Sequence, residues 1–229
     1  MRRSFPSKVD LQALERQWYL RNLPFTENDF NGPEEGPDFE ITVRDPKLIV
    51  TAVHAVKHSR PSQPSKPNDA NTGGLAAVVA EEVGYSVAIV RRARGTDDAN
   101  STDDHPLKRA LVEQLDVTTG ATVIDLHGMS DATKFDVAVG IGVNSDESRM
   151  LALSLSKVFR AYGLVVDHDG SATGLRANRP GTMTRWAQGR GAVALQIEIA
   201  RRCRSFLVPI DDRIRLLSAL RESLLTTLP

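Results

Sequence analysis

The chain has 229 residues, with 29 lysines and arginines balanced by 29 aspartates and glutamates, and is 41% hydrophobic and 25% charged. These proportions suit a globular protein with a sizeable core and argue against a disordered polyelectrolyte or a nucleic-acid binder driven by a basic excess. A single cysteine, Cys203, excludes an intrachain disulfide framework and a multi-cysteine metal centre, and no run nears the ~20 apolar residues of a bilayer span.

Residues 1–46 read as an N-terminal arm. The opening Met1-Arg2-Arg3-Ser4-Phe5-Pro6 lacks the apolar stretch of a signal peptide, so the expected compartment is cytoplasmic. Residues 12–20 suit a short helix. Residues 22–38 scatter Pro24, Pro33 and Pro37 among Asn, Asp, Glu and Gly, as in a loop laid over a neighbouring surface. Residues 39–43 (FEITV) alternate as a short strand.

The domain proper spans 47–229. Residues 47–53 (KLIVTAV) form a nearly continuous apolar run, the pattern of a buried strand. Residues 58–71, rich in Pro, Ser, Asn and Lys, read as irregular. A helix is expected over 73–83, a strand over 86–91, a polar loop over 95–106 and a helix over 107–115. Strands follow at 121–126 (ATVIDL) and 137–143, and a long amphipathic helix at 146–163 is closed by Gly163. A short strand at 164–166, another at 192–199 (AVALQIEI) and a helix at 211–228 complete the chain. Strands alternating with helices predict an α/β domain whose mostly parallel sheet is covered on both faces.

In such sheets ligands bind beyond the carboxyl ends of the strands. Polar residues just past a buried run therefore carry the most weight. His54 follows KLIVTAV directly, with His58 four residues on. Asp125-Leu126-His127-Gly128 ends the strand at 121–126. Asp167-His168-Asp169-Gly170 follows 164–166, and Glu198 lies among Leu195, Ile197 and Ile199. A lone histidine at a strand end is ordinarily structural; two at separate strand ends, one beside a glycine, suit a metal site. Glu198 needs a partner or a purpose in apolar surroundings: a salt bridge to an arginine, or a raised pKa suited to acid/base work. Asp69, close to the end of the His54 strand, is placed to add an oxygen ligand. Asn71 or Thr72 would cap the following helix. Arg185 suits a substrate carboxylate.

In order, the pieces are His54, Asp69 before Thr72-Gly73-Gly74, Asp98-Ala99-Asn100, Asp125-Leu126-His127-Gly128-Met129, and Leu195-Gln196-Ile197-Glu198-Ile199-Ala200-Arg201. From about Lys47 to Arg204 this order resembles the N-formylglutamate amidohydrolase family and, more distantly, zinc carboxypeptidase-like hydrolases. The resemblance implies a three-layer α/β/α, phosphorylase/hydrolase-like fold with a mostly parallel mixed sheet, and one catalytic Zn2+ per chain. His54, Asp69 and His127 would be the metal ligands and Glu198 the catalytic general base. Asn100 and Arg185 would orient the substrate, an N-acyl amino acid or short peptide-like amide. Two departures stand out. His58 offers a second registration for the first ligand or a place beside the substrate, and the arginine usually following the asparagine is Ser101. The rival expectation is a non-catalytic module of the same fold that holds an anion with Lys57, Arg185 and Arg201. Composition leaves the oligomeric state open.

Overall fold

A computed structural model describes residues 10–60, 63–93, 98–143 and 145–226, apart from the side chains of 63–65. The first nine residues of the expected arm, part of the 95–106 loop and the last residues of the C-terminal helix thus lie outside the described residues.

A seven-stranded mixed sheet organises the chain. Its strands are β1 (Phe39–Thr42), β2 (Leu48–Ala52), β5 (Ser86–Val90), β6 (Thr122–Met129), β7 (Val137–Gly140), β8 (Val166–Asp167) and β9 (Val193–Ala200), in the order β1-β5-β2-β6-β9-β7-β8. The central neighbours β5, β2, β6 and β9 run parallel; β1 joins β5, and β7 joins β9, antiparallel. A separate antiparallel hairpin, β3 (His58–Arg60) and β4 (Gln63–Lys66), forms where the sequence suggests irregular chain.

Each central strand is apolar on both faces, and alternate residues enter different cores. Val50, Ala52, Ile124, Leu126, Leu195 and Ile197 face one core, which is closed by α1 (Leu11–Asn22), α3 (Thr72–Val83), α5 (Asp146–Ala161) and α8 (Ile210–Thr226). Ile49, Val53, Val123 and Ala194 face a second, smaller core under α4 (Pro106–Gln114) and α6 (Met183–Gly189). The result is three layers, α/β/α.

The chain before residue 47 contributes to this body. Trp18 of α1 is fully buried, packs edge-on against Phe206 at 5.1 Å and donates its indole N–H to Asn71 O at 2.8 Å. After a 3-10 turn, a four-residue helical turn, α2 (Glu27–Phe30), holds Asn28 and Asp29 in left-handed conformation, and β1 then takes a sheet edge. Asn71 stands at the start of α3 as expected, but in left-handed conformation and without capping the helix through its side chain. Its amide instead ties α1 to the far end of the chain, accepting from Asn22 Nδ2 at 2.7 Å and donating to Arg204 O at 2.8 Å. The short α7 (Arg201–Arg204) continues from β9.

Candidate active site

The site forms at the carboxyl ends of three adjacent strands, β2, β6 and β9. Strand alternation puts Asp125 and His127 on one face of β6 and Gln196 and Glu198 on the same face of β9. The parallel register then sets Asp125 beside Gln196 and His127 beside Glu198. All four are buried, on the face covered by α4 and α6. His54 enters from the turn after β2. Asp69 enters from the loop before α3, where its backbone N–H donates to His54 O at 2.8 Å.

Three donor atoms converge here. Asp69 Oδ2 lies 2.9 Å from His127 Nδ1 and 3.4 Å from His54 Nδ1. The opposite nitrogen of each ring is held by a further carboxylate: His54 Nε2 by Asp98 Oδ1 at 2.8 Å, and His127 Nε2 by Asp125 Oδ2 at 2.7 Å. Those carboxylates are themselves anchored. Asp98 accepts from Asn100 N at 2.7 Å and from Arg60 Nε, and Asp125 accepts from Thr51 Oγ1 at 2.6 Å. With Nε2 of each ring donating to a carboxylate, both Nδ1 atoms face Asp69, the arrangement that presents imidazoles to a cation.

The electrostatics agree. Burial opposes charge on His127, but Asp125 and Asp69 outweigh it and hold its pKa well above the ordinary histidine value. Burial likewise opposes ionisation of Asp69 and Asp98, but the histidines on both, with Arg60 on Asp98, hold their pKa values well below the carboxylate range. Glu198 behaves oppositely. Burial and Asp69 push its carboxyl up to about 6 against the pull of His127 and His54. Among the described residues its partner is an amide, Gln196 Nε2 donating to Oε1 at 2.7 Å, rather than the arginine a structural salt bridge would supply.

The other expected residues divide. His58 is buried beneath His54, its ring stacked at 3.7 Å and 7°, so the in-plane lone pairs of the two rings run side by side and do not converge with Asp69. Burial and His54 push its pKa down to about 3, so it is neutral. Asn100 lines the cleft, with Nδ2 3.4 Å from His127 Nε2, while its Oδ1 accepts from Met183 N at 2.7 Å and fastens α6. Arg185 lies on α6, apart from the residues that line the cleft, and its buried Nε has no hydrogen-bond partner among the described residues. Of the cations in the rival expectation, Arg201 lines the cleft and Lys57 pairs with Asp29. Asp167 accepts from both the N–H and the hydroxyl of Thr173 at 2.8 Å and shapes a loop.

Sequence reasoning left Asp125 and Gln196 without a role, although two-residue spacing from His127 and Glu198 on strands signals a shared face. Nothing in the sequence connects Arg60 to Asp98.

The cleft above these groups has a volume of about 580 Å3 and is walled by the β3–β4 hairpin, residues 128–133, residues 173–179 and the end of β9. Among solved structures the fold recurs in a bacteriophage poly-gamma-glutamate hydrolase (18% identity, TM-score 0.51, 83% of this chain and 90% of that one). It recurs in a gene product of Agrobacterium tumefaciens (12%, TM-score 0.56, 84% and 94%) and in N-formylglutamate amidohydrolase from Ralstonia eutropha (14%, TM-score 0.51, 81% and 97%). The last belongs to the family whose motif order this sequence resembles. At these identities the likeness is one of fold. No protein-family model and no curated protein matches the sequence.

Proposed function

We propose that the protein is a zinc-dependent amidohydrolase with one zinc ion per chain, acting on an N-acyl amino acid or a small peptide-like amide. The observation that carries this reading is the convergence of His54 Nδ1, Asp69 Oδ2 and His127 Nδ1, with Glu198 registered beside His127 on the next strand. Two histidines and one carboxylate are the donor set of an open catalytic zinc site. The carboxylates behind both rings fit it, and so does the strongly basic His127, whose proton a cation would replace. Zinc bound there would polarise the scissile carbonyl and make water a nucleophile near neutral pH.

The chain's own part centres on Glu198. Gln196 holds Oε1, which leaves Oε2 to take a proton from the attacking water and return it to the leaving nitrogen. A carboxyl with a pKa of about 6 suits both transfers. Asn100 orients the substrate from the rim through its amide N–H. His58 and Arg185 act from behind the cleft, His58 by fixing the plane of His54. The hydrolase structures that share the fold support the reading, two of them being a poly-gamma-glutamate hydrolase and an N-formylglutamate amidohydrolase.

The test is elemental analysis of the purified protein beside His127→Ala, followed by a screen of N-acyl amino acids. The expected result is about one zinc per chain, lost in His127→Ala, and a Glu198→Gln protein that keeps zinc while kcat falls by about 10²–10⁴-fold. Absence of zinc after its supply at neutral pH would favour the anion-holding module, and a fully active Glu198→Gln would remove Glu198 from the mechanism.

A further inference from the structure

The chemistry above makes no use of an unusual stretch of backbone beside the His54 turn. In α2, Asn28 (φ 50°, ψ 46°), Asp29 (φ 56°, ψ 48°) and Phe30 (φ 65°) all have positive φ. Asparagine and aspartate tolerate the left-handed region. Three such residues in succession, the last of them bulky, stay there only where the surroundings hold them.

Both flanks of this turn are held. On one, Ala93 N–H donates to Asn31 O at 2.8 Å, and Gly32 (φ 84°) lies so close to the chain just past β5 that a Cβ on it would collide with the Arg91 carbonyl oxygen. On the other, Phe30 O accepts from Lys57 N–H at 2.7 Å, and Asp29 pairs with Lys57 Nζ. Lys57 ends the connection between β2 and β3, residues 53–57, which carries His54. The same part of the chain backs that connection again through Phe25, which is buried: a Cβ on Gly73 would lie 2.8 Å from both the Phe25 ring and the Ala55 Cβ. Gly73 follows Asp69 by four residues, so residues 25–30 press on both segments that bring a donor in from outside the sheet. His127 needs no such support inside β6. The 53–57 connection belongs to no strand, and its backbone is tied outward by Asp69 N–H to His54 O and by Lys57 N–H to Phe30 O. Strain kept for a backbone hydrogen bond to a donor-bearing connection is strain that serves position.

We propose that the left-handed turn Asn28–Phe30 is a latch on the β2–β3 connection, with Phe30 and Lys57 as positioning residues that hold His54 against Asp69 and His127. The latch stands on the structure; its effect on zinc binding rests on the amidohydrolase reading.

The experiment compares Phe30→Gly, Phe30→Val and Phe30→Pro with the wild type. All three remove the ring, so lost ring packing is common to them. Glycine favours the left-handed region, valine resists it and proline forbids it. The readouts are amide hydrogen exchange of residues 53–57 without zinc, and the zinc dissociation constant from competition with a chelator. Phe30→Gly is expected to stay within about threefold of wild type in both. Phe30→Pro should exchange faster at 53–57 and bind zinc at least about tenfold more weakly, while exchange within β6 is unchanged. Phe30→Val should fall between them, at least about threefold weaker than Phe30→Gly. Should Phe30→Pro fail to fold, the contrast of glycine with valine decides alone. Variants alike in both readouts, or faster exchange at constant zinc affinity, overturn the latch. The expected exchange pattern in a protein that binds no zinc upholds the latch and overturns the zinc reading. Zinc bound equally by all four proteins with uniform exchange does the reverse.

Discussion

Gly128, one residue past His127, tests how tightly the site is built into the fold. A Cβ placed there would lie 2.7 Å from Arg204 Nε and closer still to Cζ and Nη2. Arg204 has nowhere to go: its side chain is buried and its guanidinium bridges the carbonyls of Ile199, Ala70 and Met129. In Gly128→Ala either the strand shifts or the guanidinium leaves. Overpacking costs about 1–3 kcal/mol, and each buried carbonyl that loses its donor costs about 1–3 kcal/mol more. We expect a total near 3 kcal/mol, which for a chain of this size lowers Tm by roughly 6–12 °C. The assay is thermal unfolding of the wild type, Gly128→Ala, Arg204→Met and the double variant. Because the clash requires both side chains, the methyl group should cost at least ~1 kcal/mol less in the Arg204→Met background. A Tm for Gly128→Ala within 2 °C of wild type, or strict additivity in the cycle, would refute the reasoning.

Other expectations follow from single features. Glu198, with its carboxyl at about 6, must be ionised to accept a proton, so kcat/KM should rise as pH increases through about 6; a flat profile between pH 5 and 7 would count against it as the base. His58, pushed down to about 3, is neutral in the native state but protonates below about 6.5 when unfolded. Its contribution is therefore fully present above about 6.5 and is lost as pH falls, so His58→Phe, which keeps the stack, should flatten the acid side of the stability–pH curve. Trp18→Ala should cost about 3–5 kcal/mol in chemical denaturation, a large loss for a residue in a segment that reads as an arm.

The central strands were legible because each is a short, nearly continuous apolar run, and their chemistry sits at the ends of those runs. His127 and Glu198 could be singled out that way, as could His54. Their adjacency could not: it depends on β9 lying next to β6, a pairing across about seventy residues that local patterning does not encode. The α1 segment was legible as a helix but not as core, since its burial rests chiefly on Trp18 and on polar ties such as Asn71. The β3–β4 hairpin was hidden by its Pro, Ser and Lys content, which favours loops locally and is overruled by docking against His54 and Asp98. Arg60 stayed invisible for the same reason, its partner being 38 residues away.

The donors at the site also differ in how firmly the chain holds them. His127 sits within β6, registered against Glu198 of β9, which β7 flanks on its other side, whereas His54 and Asp69 enter from connecting segments joined by one backbone hydrogen bond. Hydrogen exchange should therefore be slowest at the amides around His127 and Glu198, opening only with the whole molecule, and faster around residues 54–58 and 67–70. Half of the cluster would then persist as a fixed platform while the other half breathes, giving a bound ion a route in and out that requires no loss of the native sheet.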